Sequence, residues 1–370
     1  MILVPDLRDA LLRLLDALLD PRRARVVVPP TRAADGFWFG GGDLVRDDDG
    51  TLWLTGRYRD AGDSRTGVAA GARGRELALF RSDDGGATFT KVHGWAKADL
   101  ATTGDGVLSI EGSSLLRRPD GRWEAFVSSE RQRAYPRAYA PYQKPGTGVW
   151  SIERMVAGRP DAFDPATLEP VLNGDAAAHL HVKDPVARLT SDGTTLLLFS
   201  NHPISWASSN TGSAVRPHGA ERFEVRAWEV VARGPVWDVG ATRATELLPV
   251  PRVGRFADGP PLSVVLYDGA EAMRPLSPNP AANARPRGYS CEELGGAMWT
   301  EGEDVAAARR LTLVAPRFVS PHGTGSSRYA KVLAMPDGGL IATWQMAQDD
   351  GSQPLVTNAL SADEVGAALS

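Results

Sequence analysis

The chain has 370 residues, 42% of them hydrophobic, with 41 Lys and Arg against 45 Asp and Glu and a formal charge of −4. This mild acidity argues against a nucleic-acid partner, which calls for a strongly basic face, and the apolar share is enough for a sizeable core. Cys291 is the single cysteine, which excludes an intramolecular disulfide and a cysteine zinc cluster and fits a reducing compartment.

Residues 5–20 predict an amphipathic helix, with Leu7, Leu11, Leu14, Leu15 and Leu18 on one stripe and Pro21 ending it. Acids and arginines interrupt this apolar pattern, so it fails as a signal peptide and as a membrane span, and a cytoplasmic location is expected. From VVVPP at residues 26–30 onward the chain is β-like, with short apolar runs and tight turns. No linker divides it. Residues 1–25 read as an N-terminal helix and residues 26–370 as one domain.

Within that domain a hairpin signal recurs with an acid at its head. GGGDLVRDDDGTLWLTG carries Asp43 and an Asp49-Gly50 turn, IEGSSLLRRPDGRWEAFVSS carries Glu111 and Asp120-Gly121, and KDPVARLTSDGTTLLLFS carries Asp184 and Asp192-Gly193. The acids precede their turn glycines by seven, ten and nine positions respectively. ADGPPLSVVLYDGAEAM gives a weaker copy with Asp258 and Asp268-Gly269, and SSRYAKVLAMPDGGLIATW one with Asp337-Gly338 and no acid. Second hairpins follow in RELALFRSDDGGATFTKV, GVWSIERMVAGRPDAF, RFEVRAWEVVARGPVWDV and EELGGAMWTEGEDVAAARRLTLV, and QPLVTNALS closes the last unit. Residues 76–85 match residues 293–302 without a gap, as true repeats would. Five such units predict an all-β, five-bladed β-propeller, in which each sheet covers the faces of its neighbours. SDDGGATF at residues 82–89 matches the Asp-box turn pattern, in which the Asp caps backbone amides.

Acids at the heads of innermost strands would converge on the propeller axis. Close carboxylates repel, which keeps one protonated as a general acid while another activates water or attacks, the division of labour in glycoside hydrolysis. With these segments the chain resembles the five-bladed propeller glycoside hydrolases, family 43 above all, with kinship to families 32 and 68. The resemblance makes Asp43 the general base or nucleophile, Glu111 the general acid, and Asp184 the residue that tunes the acid or holds a sugar hydroxyl. The order Asp, Glu, Asp departs from the family's Asp, Asp, Glu, and Leu44 stands where Pro is usual, so the roles of Glu111 and Asp184 are open to exchange. Glu292 is a further candidate acid. The neighbouring Glu293 shares the register of Glu76, which points away from the axis.

Candidate substrate contacts are Trp38, beside Phe37 just before Asp43; Arg57 in GTLWLTGRYR; Arg131 and Tyr135 in RQRAYPRAYAPYQKPGTGVW; His181 in HLHVKD; Trp206; and His322 in SPHGTGSS. Sugars stack on aromatic faces, and arginines favour a carboxylate or sulfate on the substrate. The Arg/Tyr insertion at residues 131–150 is expected over the tunnel mouth, and His322 at the head of the fifth inner strand. His179 and His181 alternate on one strand, which is too little for zinc. Family resemblance requires no cofactor and allows a structural calcium on the axis. A small carbohydrate, acted on by a monomer or homodimer, is the expected partner. GTLWLTGRYR and the Asp box also resemble sialidases, whose site uses three arginines and a Tyr–Glu pair. A non-catalytic sugar-binding propeller is the third possibility.

Overall fold

The computed structural model describes residues 3–60, 74–101, 104–205, 208–271 and 293–370. Helix α1 (Pro5–Leu18) is followed by strand β1 (Arg25–Val28). The first blade holds β2 (Trp38–Gly40), β3 (Leu44–Arg46), β4 (Leu52–Arg59), β5 (Glu76–Ser82) and β6 (Thr90–Ala96). The second comprises β7 (Val107–Arg117), β8 (Trp123–Arg131), β9 (Val149–Ala157) and β10 (Glu169–Asn173). Strands β11 (His181–Leu189), β12 (Thr195–His202), β13 (Asn210–Arg216) and β14 (Glu224–Val231) make the third. The fourth is β15 (Ala241–Pro249), β16 (Leu262–Ala270), β17 (Leu294–Glu301) and β18 (Arg309–Arg310). The fifth runs β19 (Ser327–Ala334), β20 (Leu340–Met346) and β21 (Leu355–Leu360), and α2 (Ala362–Ala368) ends the chain.

Every blade is an antiparallel sheet; in the first four the earliest strand is innermost, and in the fifth β19 is innermost while β1 supplies the outermost strand beside β21. The ring therefore closes by pairing the two ends of the domain. The predicted five-bladed propeller is the observed fold. Apolar clusters fill the clefts between blades. Trp53, Leu77 and Leu79 meet Ile110, Trp123 and Val127 between the first and second. Phe126 and Ile152 meet Val182, Leu197 and Phe199 between the second and third. Leu11, Leu14, Leu15 and Leu18 of α1 pack with Leu262, Trp299, Trp344 and Leu360 beneath the fourth and fifth.

Two predicted units differ from the structure. In the fourth, Asp268-Gly269 lies inside β16, which is the blade's second strand; the inner strand is β15, and Asp258 sits in the loop before β16. The third blade's third strand is β13, ahead of the segment read as a hairpin. Glu76 and Glu293 do stand at corresponding places, at the heads of the third strands of their blades. At the turn between β5 and β6 the Asp84 carboxylate accepts from Ser82 Oγ and from the Thr88 amide and hydroxyl.

The five inner strands share one irregularity. Pairing with the second strand shifts at Ile110/Ser113, Lys183/Val186, Ala244/Glu246 and Arg328/Lys331, and the first blade breaks its inner strand into β2 and β3 around residues 41–43. Bulges re-aim side chains, and here they do so at one level around the axis. Because α1 fills a cleft between blades, Leu14→Ala is expected to cost about 2–5 kcal/mol of stability, read as a lower urea midpoint; an unchanged midpoint would show that α1 does not contribute to the core.

Candidate functional site

Two layers of charged side chains occupy the axis. The lower is a belt of inner-strand residues. Asp43 is fully buried and accepts two bonds from the Arg188 guanidinium, at 2.8 and 3.0 Å, one from Ser114 Oγ at 2.6 Å and one from the Leu115 amide at 3.3 Å. Arg188 also binds Glu246, at 2.6 Å through Nε. Glu246 accepts the Val332 amide of the fifth blade, and Ser114 Oγ accepts the Ala187 amide. Burial works against ionised Asp43, but Arg188 and Lys331 outweigh it and hold the carboxyl below its usual range.

Above the belt, at the heads of the inner strands, lies a chamber. Glu111 is paired with Arg57 at 2.9 Å. Asp184 Oδ1 accepts from the Gly112 amide at 3.1 Å and Tyr329 Oη at 3.4 Å, and its Oδ2 lies 3.2 Å from Arg243 and 3.7 Å from Lys183. Gly112 makes this approach possible, since a Cβ there would stand 2.7 Å from Asp184 Oδ1. Arg243 reaches Asp268 at 2.7 Å and Glu293 at 2.9 Å, and Arg328 also pairs with Glu293. The Arg57, Arg243 and Arg328 guanidinium carbons lie 5.4, 4.0 and 5.6 Å from the centre of the Tyr329 ring.

Asp184 and Tyr329 are the only non-glycine residues at positive φ among those described, at 53° and 54°. Left-handed backbone at a bulky residue is strained and concentrates at functional sites. Burial raises the Tyr329 phenol well above its ordinary value. It also pushes the Asp268 carboxyl up to about 6, against the pull of Arg243 and with a contribution from Glu293. Glu293 itself is held low, because Arg243 and Arg328 outweigh its burial.

The structure thus brings Glu111, Asp184 and Arg57 together and sets Asp43 one layer below them. Glu293 does not point away from the axis; it lies between two chamber arginines. Trp38 has the Arg59 and Arg328 guanidiniums over its ring, at 4.1 and 4.3 Å. Arg131 is buried in the second blade against Glu153 rather than over the tunnel mouth. Tyr135 is buried too, its hydroxyl 3.2 Å from His181 Nε2. Burial, with the charge of Lys183, drives His181 down to about 3. His179 instead stacks on Trp228. His322 lies in the turn before β19, outside the inner-strand heads, and pairs with Asp349. Trp206 and Glu292 lie outside the described residues. Arg243, Arg328 and Tyr329 carry no acid signature at the strand heads, and Asp268 reads in the sequence as half of an Asp-Gly turn rather than as a chamber residue.

A calcium ion does not fit this axis. Calcium takes six to eight oxygens, whereas the belt places the Lys331 ammonium and the Arg188 guanidinium there, and the described residues contain no group of three or more His, Cys, Asp or Glu able to hold a metal. No helix among them is long and apolar enough to cross a membrane.

No protein-family model matches the chain, and no curated protein matches its sequence. Solved structures do match in shape. One described as a glycoside hydrolase aligns with a TM-score of 0.61 at 11% identity, over 97% of this chain and 96% of its own. A thermostable family-43 glycoside hydrolase aligns at 0.55 and 11%, over 90% and 91%. A family 117 glycoside hydrolase from Zobellia galactanivorans aligns at 0.56 and 11%, over 92% and 91%. The likeness is one of fold. It extends over nearly the whole propeller.

The raised carboxyl of Asp268 has a consequence for stability. Its folded value lies above the unfolded one, so between about pH 4 and 6 the folded state holds a proton that the unfolded state releases. The contribution of Asp268 is therefore fully present below pH 4 and lost as pH rises through 6, by up to about 1.4 kcal/mol per unit. Asp268→Asn removes it, so the difference in unfolding free energy between variant and wild type should change across pH 4–6. Parallel stability curves would show that Asp268 holds no proton in that window.

Proposed function

We propose that the upper axial chamber is a glycosidase site in which Glu111 and Asp184 divide the acid and base work. The observation that carries this reading is the contact between Asp184 and Tyr329, both in left-handed backbone at the bulged heads of the inner strands of the third and fifth blades. Strain of this kind costs about 1–3 kcal/mol per residue and persists where the surrounding structure over-determines it. The glycoside hydrolases that share the fold add support.

Glu111 is the more exposed of the two carboxylates, 16% against 3% for Asp184, and is the better placed to meet a leaving-group oxygen. It donates the proton. Asp184, on the chamber floor beside Arg243 and Lys183, takes the base's part toward water or attacks the sugar directly. Asp43 lacks the open lone pair a base needs, since its two oxygens together accept five hydrogen bonds, two from Arg188 and one each from Ser114, Leu115 and Leu44. Its work is to hold the blades together.

A second reading concerns the substrate's charge. Arg57, Arg243 and Arg328 come from three blades and surround one ring, an arrangement suited to an acidic sugar, as in the sialidase-like alternative.

A panel of aryl furanosides, pyranosides, uronides and sialosides tests both readings. Turnover is expected, with Glu111→Gln and Asp184→Asn each lowering kcat/KM by about 10²-fold or more. Asp43→Asn should chiefly lower Tm. Unchanged hydrolysis by Glu111→Gln would remove it as the acid. Binding without turnover across the whole panel would make the protein a carbohydrate-binding propeller, and turnover of neutral glycosides alone would reject the acidic sugar.

A further inference from the structure

A small cavity of about 10 Å³ lies on the axis between the two charged layers, lined by Gly41, Gly112, Asp184, Arg243, Thr245 and Lys331 among others. That volume admits one water-sized species. Lys331 and Thr245 are 4% and 2% exposed, and neither Lys331 Nζ nor Thr245 Oγ1 has a hydrogen-bond partner among the described residues. The nearest carboxylate to Lys331, Asp43, is 4.0 Å away and already saturated by Arg188, Ser114 and Leu115. A buried ammonium or hydroxyl left without a partner is costly, by about 1–3 kcal/mol or more. Two such groups, on residues of adjacent blades that line one water-sized space, define a site.

We propose that the propeller axis binds one small hydrogen-bond acceptor, a water molecule or a halide ion, between the Lys331 ammonium and the Thr245 hydroxyl. The acceptor serves both groups and joins the fourth and fifth blades at a level where no direct hydrogen bond between these two side chains does. A positive ammonium beside the cavity favours a lone pair and disfavours a divalent cation there. The inference is independent of any glycosidase activity.

Crystals of the full chain grown with sodium bromide and calcium chloride, with data collected at the bromine edge, test it. An anomalous bromine peak within hydrogen-bond range of Lys331 Nζ identifies a halide, and ordinary oxygen density there identifies water; both support the site. Calcium at that position, or no density, overturns it. A double-mutant cycle gives a solution readout. Thr245→Val and Lys331→Met share the acceptor, so the double variant should lose less stability than the two single losses combined, by at least about twofold in the unfolding constant. Independent losses would overturn a shared occupant. If Lys331→Met does not fold, Thr245→Val crystals serve instead: retained density with unchanged occupancy would remove Thr245 from the site.

Discussion

The bidentate grip of Arg188 on Asp43, continued to Glu246, is the interaction on which the propeller's geometry depends. Apolar packing between blades is non-directional; it holds the sheets face to face without deciding how high each stands along the axis. Directional bonds decide it. Asp43 of the first blade takes the amide and hydroxyl of the second, Ser114 of the second takes an amide of the third, and Arg188 of the third holds the first and fourth. Glu246 of the fourth takes an amide of the fifth, and Lys331 of the fifth faces Asp43 again. Linked from blade to blade in this way, the belt fixes the heights together.

That fixed belt lets the level above it be irregular. Each inner strand departs from regular pairing just before it enters the belt. The departures turn Glu111, Asp184, Arg243 and Tyr329 toward one another, and two of the residues at them adopt backbone conformations that an isolated strand would abandon. Glycines at 41, 42 and 112 supply the close approaches; a Cβ on Gly42 would stand 1.8 Å from the Thr55 carbonyl oxygen. Rigidity below and strain above belong to one design.

The blade count was legible because tight Asp-Gly turns join the first and second strands in four of the five blades. The fourth misled for a local reason. Gly269 is there not to turn the chain but because Trp237 and Asp238 occupy the space a Cβ would take, at 2.6 Å each. Asp268 beside it does not cap a turn; it accepts the Tyr329 amide of the next blade. The closing strand β1 escaped notice as a blade member because three valines carry no sign of a partner more than 300 positions away. Glu293 was assigned outward by analogy with Glu76, whose partners are Lys91 and Arg75. Its own partners are long side chains from the inner strands. A strand register cannot reveal how far an arginine reaches.

The divergence between Asp43 and the other two strand-head acids was written in their spacing. Asp43 stands seven residues before its turn glycine, Glu111 ten and Asp184 nine. Measured from the turns at the lower face, two or three residues of strand amount to roughly 7–10 Å along the axis, less what a bulge absorbs. The same residue type at the same apparent motif position therefore arrives at two different heights. At the lower one, five strands crowd the axis and both oxygens of Asp43 find amides, a hydroxyl and a guanidinium. At the upper one the strands have just begun, the bulges open them, and carboxylates meet arginines around a tyrosine ring. A difference of two or three residues separates the acid that ties the ring together from the acids that the ring presents.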